Sequence, residues 1–310
     1  MDGREFLKML EREMDKAVVG KRRVIELLSV ALLSRGHVLL EGVPGVAKTT
    51  IAKNFANTLG LKFSRIQLTP DLMPADIIGG LFFDQKSGEF KIRKGPIFAN
   101  VVLADEINRA QPKTQSALLE AMQEDQVTIE GISFKLPQPF LVIATKNPLE
   151  HEGVYELPEA QLDRFVLKID VGYPSKDEEI HMLKRKHLGE FAEARTVFNL
   201  QTLLSVMEEV KKVYVSDEVL HYIYEIIAKT RVNEKLVYGA SPRGAEHLLY
   251  TSKAIAFLRG RNYVIPDDVK DMAIPTLIHR VAVKAEYEID GVREKDVIEE
   301  ILEEVEIPKG

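Results

Sequence analysis

The run Gly42-Val43-Pro44-Gly45-Val46-Ala47-Lys48-Thr49-Thr50 combines a glycine-rich turn with an ammonium and hydroxyls. That combination suits polyphosphate. Backbone N–H groups of a turn that opens a helix can surround phosphate oxygens, the lysine can bridge the outer two phosphates, and the first hydroxyl can ligate a divalent cation. Lys48 is therefore assigned to the β- and γ-oxygens and Thr49 to Mg²⁺. Ala47 stands where such loops carry their last glycine, which an alanine tolerates if its φ is negative. A second run, Val101-Val102-Leu103-Ala104-Asp105-Glu106, ends in two carboxylates. Adjacent residues at a strand end diverge, so Asp105 is assigned to Mg²⁺ and Glu106 to orienting and polarising an attacking water. In Ala144-Thr145-Lys146-Asn147-Pro148, Asn147 offers a neutral amide that can hold that water without altering the charge balance.

Two arginines complete the candidates. Arg164, in Leu157-Pro158-Glu159-Ala160-Gln161-Leu162-Asp163-Arg164-Phe165, just precedes an edge strand, away from this subunit's own phosphates and placed to reach another's. Arg243, in Ser241-Pro242-Arg243-Gly244, lies in a helix first turn, where a cation opposes the dipole and calls for an anion such as a γ-phosphate. Each residue also has a plainer reading. Asn147 can be a turn former before Pro148, Arg164 can pair with Asp163 or Glu159, and Arg243 can pair with Glu246.

The elements that must position these groups are legible as periodicity. Strands are expected at 37–41, 63–68, 100–105, 140–145 and 165–171. The first, third and fourth are apolar nearly throughout, as strands covered on both faces must be. The second carries Ser64, Arg65 and Gln67 and the fifth Lys168 and Asp170, which marks these two as edges. Hairpins are expected within 79–98, turning at Lys86-Ser87-Gly88, and within 126–139, turning at Glu130-Gly131. After Gly172-Tyr173-Pro174-Ser175 only helical periodicity remains, predicting helices at 176–188, 200–213, 217–229, 242–259 and 266–281. The expected division is an α/β core over 1–173 and a helical domain over 174–310.

Composition excludes other classes. With no cysteine there is no disulfide framework, thiolate nucleophile or Cys-based metal site, and the histidines, His37 and His151 among them, show no ligand spacing. The net charge of −6 supplies no general attraction to nucleic acid. No apolar run is long enough to span a bilayer, and the amphipathic amino terminus, with Phe6, Leu10, Met14 and Val18 at helical spacing, is unlike a secretory leader. A cytoplasmic protein is expected.

Taken together, GVPGVAKT, VVLADEINRA, ATKNP, ELPEAQLDRF and GASPRG resemble, in order and spacing, an AAA+ ATPase of the MoxR family. The resemblance implies a P-loop core with a parallel five-stranded sheet in the order 5-1-4-3-2, a helical lid, and ATP and Mg²⁺ bound between subunits of a ring, commonly a hexamer. It also makes Ala47 the family's usual form and implies that Val19-Gly20 line the adenine pocket. Asn147, Arg164 and Arg243 look like sensor 1, arginine finger and sensor 2, and the 79–98 hairpin like an insert facing a pore or partner. MoxR-type proteins are similar to chaperones that remodel protein complexes, often with a von Willebrand A partner. The competing readings are a helicase-like nucleic-acid motor, for which Lys86, Lys91, Arg93 and Lys94 of the insert speak, a magnesium-chelatase-like subunit, and a non-catalytic ATP-gated scaffold.

Overall fold

The computed structural model describes residues 1–86, 88–149 and 153–308. In chain order the elements are α1 (Gly3–Met14), α2 (Arg22–Leu33), β1 (Val38–Glu41), α3 (Lys48–Thr58), β2 (Phe63–Gln67), α4 (Pro74–Ile78), β3 (Gly79–Asp84), β4 (Glu89–Lys94) and β5 (Val101–Asp105). There follow α5 (Pro112–Glu124), β6 (Gln126–Ile129), β7 (Ile132–Lys135), β8 (Leu141–Lys146), α6 (Glu159–Leu162), β9 (Leu167–Asp170), α7 (Lys176–Leu188), α8 (Leu200–Lys211) and α9 (Asp217–Val232). The last are β10 (Leu236–Tyr238), α10 (Pro242–Leu258), α11 (Pro266–Leu277), β11 (Ala282–Val283), α12 (Ala285–Ile289) and α13 (Glu294–Glu304).

The main sheet is parallel with order β2-β5-β8-β1-β9. The two strands whose charge or polarity runs along their length are its edges. Alternation explains why the central strands are apolar until their last one or two residues. Leu40, Leu103 and Ile143 point into one buried cluster, and Leu39, Val102 and Val142 into another on the opposite face. Both expected hairpins form, β3 with β4 and β6 with β7. Glu130 and Gly131 both take positive φ, 48° and 78°, as a two-residue turn matched to strand twist requires. Two residues named above, Ser87 of the first hairpin turn and His151, lie outside the described residues.

The second half is helical, but strand structure does not stop at residue 173. β10 and β11 form a small antiparallel ribbon, and Tyr214 bridges Tyr263. A ribbon of two or three residues is too short to show a period of two. α13, which buries Val297, Ile298 and Ile301, was not anticipated, and α11 ends at Leu277 rather than 281. The packing also ignores the division at 173. One apolar cluster runs from α1 and α2 (Phe6, Leu10, Ile25, Leu28) through the sheet into the helical half (Leu203, Ile255, Leu277).

α7 is the exception to this burial. Its ends are well specified, with a Ser175–Glu178 capping box, acidic residues in the first turn, basic residues in the last and Gly189 at φ 67° as the stop. None of its residues is buried. The chain that follows returns to the core, where Ala192 N–H donates to the Lys16 carbonyl and Ala194 N–H to Asn54 Oδ1. α7 thereby faces the turn after β1 across an open cleft, as a flap. Among the described residues no helix is long and apolar enough to cross a membrane.

Candidate functional site

The turn after β1 is shaped by close approach and positive φ. A Cβ on Gly42 would stand 2.7 Å from the Val171 carbonyl oxygen, and Gly45 has φ +87°. Ala47 does not have the negative φ expected of it. It sits at φ 67°, ψ 22°, directly before α3. A left-handed residue here curls successive N–H groups into a concave anion cradle, and for a residue with a Cβ this costs about 1–2 kcal/mol. Ala47→Gly should therefore change the unfolding free energy by no more than about 1 kcal/mol, because glycine's greater unfolded-state entropy offsets the relief. Ala47→Val, β-branched, should lower stability by more than that and weaken nucleotide binding. Thermal denaturation and a nucleotide titration would read both.

The Lys48 ammonium folds back over the loop and donates to the Gly42 carbonyl. Beside it lies a cleft of about 860 Å³ whose lining includes Val19, Pro44, Thr49 and Thr50 and, from the flap, Met182 and Leu183. Val19 thus joins the phosphate loop, with apolar walls suited to a base. Gly20 instead lines the adjoining pocket, with Glu178 against its backbone.

The ends of β1, β8 and β5 lie side by side, so the parallel register brings the loop, Asn147 and the Asp105–Glu106 pair together. Asn147 is buried, and its Oδ1 accepts from Leu149 N–H at 3.2 Å, so the turn-forming reading is part of its role. Asp105 and Glu106 diverge as expected, because Glu106 adopts φ 60°, ψ 55° and bends the chain out of the strand. Thr145 fixes that bend. Its hydroxyl donates to Asp105 Oδ1 at 2.6 Å and accepts Glu106 N–H at 2.9 Å. Asp105 Oδ2 is held by the Arg65 guanidinium at 2.7 Å. Glu106 Oε2 accepts from Gln67 at 2.9 Å and from Arg109 at 3.3 Å.

The sequence reading missed Arg65, Gln67, Arg109 and Thr145. Arg65 and Gln67 alternate along β2 and so share a face, and Thr145 is the one hydroxyl in a strand of aliphatic residues; both signals were present in the sequence.

Arg164 and Arg243 are not with these groups. Arg164 precedes β9, whose far end, Asp170, pairs with Glu41 beside the phosphate loop; a strand of that length spans roughly 13 Å. Its guanidinium donates to the Leu119 carbonyl at 2.8 Å. Arg243 lies 3.6 Å from Asp163, so the carboxylate that answers it comes from the core and not from Glu246.

Three histidines surround this opposite end. His37 takes Val142 N–H on Nδ1 and donates from Nε2 to the Met122 carbonyl, and His279 Nε2 lies 2.9 Å from the Phe165 carbonyl. Burial holds both below the usual imidazole range, and burial with the nearby Arg280 pushes His247 down to about 3. Below pH ~6.5 the unfolded chain takes up protons that these folded imidazoles refuse. Stability is therefore full above that pH and is lost as pH falls toward the folded values, by about 2 kcal/mol at pH 5 for His247 and in the same direction for His37 and His279. Urea midpoints at pH 7.5 and pH 5 should show the loss; equal midpoints would contradict it.

Residues 37–167 match the family model described as ATPase family associated with various cellular activities (AAA), and residues 228–301 match the AAA lid domain. The chain is 44% identical to Chaperone MoxR1 of Mycobacterium tuberculosis over 96% of its own length and 81% of that protein's. It is 45% identical to the Bacillus subtilis protein YeaC, over 95% and 92%. The crystal structure of a Cytophaga hutchinsonii protein assigned as an ATPase superposes with a TM-score of 0.92 at 42% identity, covering 99% of this chain and 96% of that one.

Proposed function

Because this chain belongs to the MoxR family of AAA+ ATPases, we propose that it cleaves ATP at the interface between two subunits and uses the resulting movement to remodel protein complexes. The observation that carries this reading is the separation within one subunit. The phosphate loop, Asp105, Glu106 and Asn147 gather at one end of the sheet, and the two arginines suited to a γ-phosphate stand at the other. A ring supplies the missing guanidinium by bringing one subunit's Arg164 edge to the next subunit's cleft.

In that site the adenine lies against Val19 and the flap residues Met182 and Leu183, and the loop N–H groups and Lys48 hold the β- and γ-phosphates. Glu106 polarises a water that attacks the γ-phosphorus as the bond to the β-phosphate oxygen breaks. Asn147 orients that water, and Arg164 with Arg243 of the adjacent subunit stabilises the charge that develops. The donor set fits Mg²⁺. Thr49 places a hydroxyl in the first turn of α3, and the outer oxygen of Asp105 already carries a cationic partner, Arg65. When bound, the ion would be held by Thr49 and Asp105 and would neutralise charge on the bridging phosphates.

The assembly proposed is a cytoplasmic hexamer with a protein client, a von Willebrand A domain being the partner type expected. Exposed apolar side chains on the β3–β4 hairpin, Leu81, Phe83 and Phe90, support a protein-facing insert. The test is capture of partners by the Glu106→Gln variant loaded with MgATP. Recovery of a protein released when nucleotide is removed supports the reading, and recovery of nucleic acid in its place overturns the client half of it.

A further inference from the structure

The segment bearing Arg164 is fastened to the lid on both sides of that residue. Arg280, at 4% exposure, donates from Nε to Asp163 Oδ1 at 2.8 Å. Its Nη2 reaches the Asp163 carbonyl at 2.9 Å and the Phe165 carbonyl at 2.6 Å. Ser241, the cap of α10, places its hydroxyl 3.0 Å from each Asp163 carboxylate oxygen, and Arg243 adds a looser contact at 3.6 Å. His279, also from the lid, meets the Phe165 carbonyl. The Arg164 side chain turns the other way, to α5, and among the described residues only one of its N–H donors is engaged. Residues 163 and 165 are thus gripped by the lid, and Arg164 is held between them.

The lid helices that carry these groups are joined by the apolar cluster that includes Leu203, Ile255 and Leu277. A close-packed body of this kind holds the groups that meet Asp163 in a fixed relation to one another.

We propose that Asp163 is a positioning residue that ties Arg164 to its own subunit's lid, so that the lid's grip sets the finger offered to the next cleft. This rests on the reading that Arg164 acts across the interface. The lid holds the backbone at residues 163 and 165, and the neighbour's turnover depends on where that places Arg164. Arg280 is the wrong place to test it, because removing a buried guanidinium takes a donor from the Asp163 carboxylate and from the Asp163, Phe165 and Thr276 carbonyls at once and is strongly destabilising. Asp163→Asn keeps the shape and an acceptor oxygen and removes the charge that sets the grip.

The experiment measures MgATP turnover, nucleotide affinity and assembled mass for Asp163→Asn alone and mixed with Glu106→Gln. Alone, the variant should lose about tenfold or more in kcat, since a misplacement near 1 Å can cost up to 10²-fold, with KM within about twofold and the mass unchanged. In an equal mixture, about a quarter of interfaces pair a D163N cleft with an intact finger, and turnover should rise well above the mean of the two variants. Turnover at that mean would overturn the proposal, because a defect confined to the variant's own cleft or fold is not repaired by a neighbour. Should Asp163→Asn fail to assemble, Ser241→Ala, which leaves the Arg280 contacts in place, is mixed in the same way with the same two outcomes. Arg164→Ala in the same mixture separates the two levels. If it too is not complemented, action across the interface fails, whereas complementation of Arg164→Ala alone removes only the role of Asp163.

Discussion

Glu106→Gln should reduce steady-state phosphate release from MgATP by about 10²–10⁴-fold while leaving ATP bound, because it removes the one side chain assigned to take up the water's proton. The substitution is isosteric, and the backbone that presents residue 106 is set by Thr145 and by the bend at φ 60°, neither of which depends on the carboxylate charge. What changes is the partner set. Gln67 and Arg109 both donate to Glu106 Oε2, and an amide answers Arg109 less well than a carboxylate. The free protein therefore holds Glu106 by groups that must yield before it can face a water. For that reason Gln67→Ala, which releases one of them, should not abolish turnover as Glu106→Gln does. The measurement is single-turnover phosphate release beside equilibrium binding of a fluorescent ATP analogue. Undiminished release by the Gln variant would remove Glu106 from its role, and loss of binding in step with release would show a damaged fold.

How far the sequence foretold this site depended on whether a residue's partner was near in the chain or across the sheet. Asp105 and Glu106 were legible because an apolar strand ending in acids downstream of a phosphate loop has few other uses. The edge assignment of β2 and β9 followed from Arg65, Gln67, Lys168 and Asp170, since charge is tolerated where one side of a strand is open. Those same side chains were read only as markers of exposure. That Arg65 sits on Asp105 and Gln67 on Glu106 depends on the β2–β5 register, which no local pattern states. Ala47 shows the converse error. Its type argued for negative φ, but the cradle required a left-handed turn, and the surrounding loop imposed it. The short β10–β11 ribbon was invisible because pairing of so few residues is decided by tertiary contact rather than by alternation.

Arg164→Ala should lower turnover by about 10³–10⁵-fold, the range over which a finger supplied in trans accelerates phosphoryl transfer, with ATP affinity nearly unchanged. The separation of binding from turnover follows from where the residue stands. Arg164 lies at the opposite end of β9 from the loop proposed to hold the phosphates of its own subunit, so its loss cannot reach those binding groups directly. The structural cost is small, since the bond lost is a single part-buried hydrogen bond to the Leu119 carbonyl, worth about 0.5–1.5 kcal/mol. A finger donated by a neighbour also imposes a concentration dependence. Turnover per subunit in the wild-type protein should fall with dilution in step with the loss of assembled mass, while the variant, already lacking the guanidinium, should remain at its residual rate throughout. Phosphate release and mass measured on the same dilution series test both statements. A dilute, unassembled wild-type subunit that retained full turnover would place the catalytic arginine within a single chain, and would leave Arg164 with no more than its bond to α5.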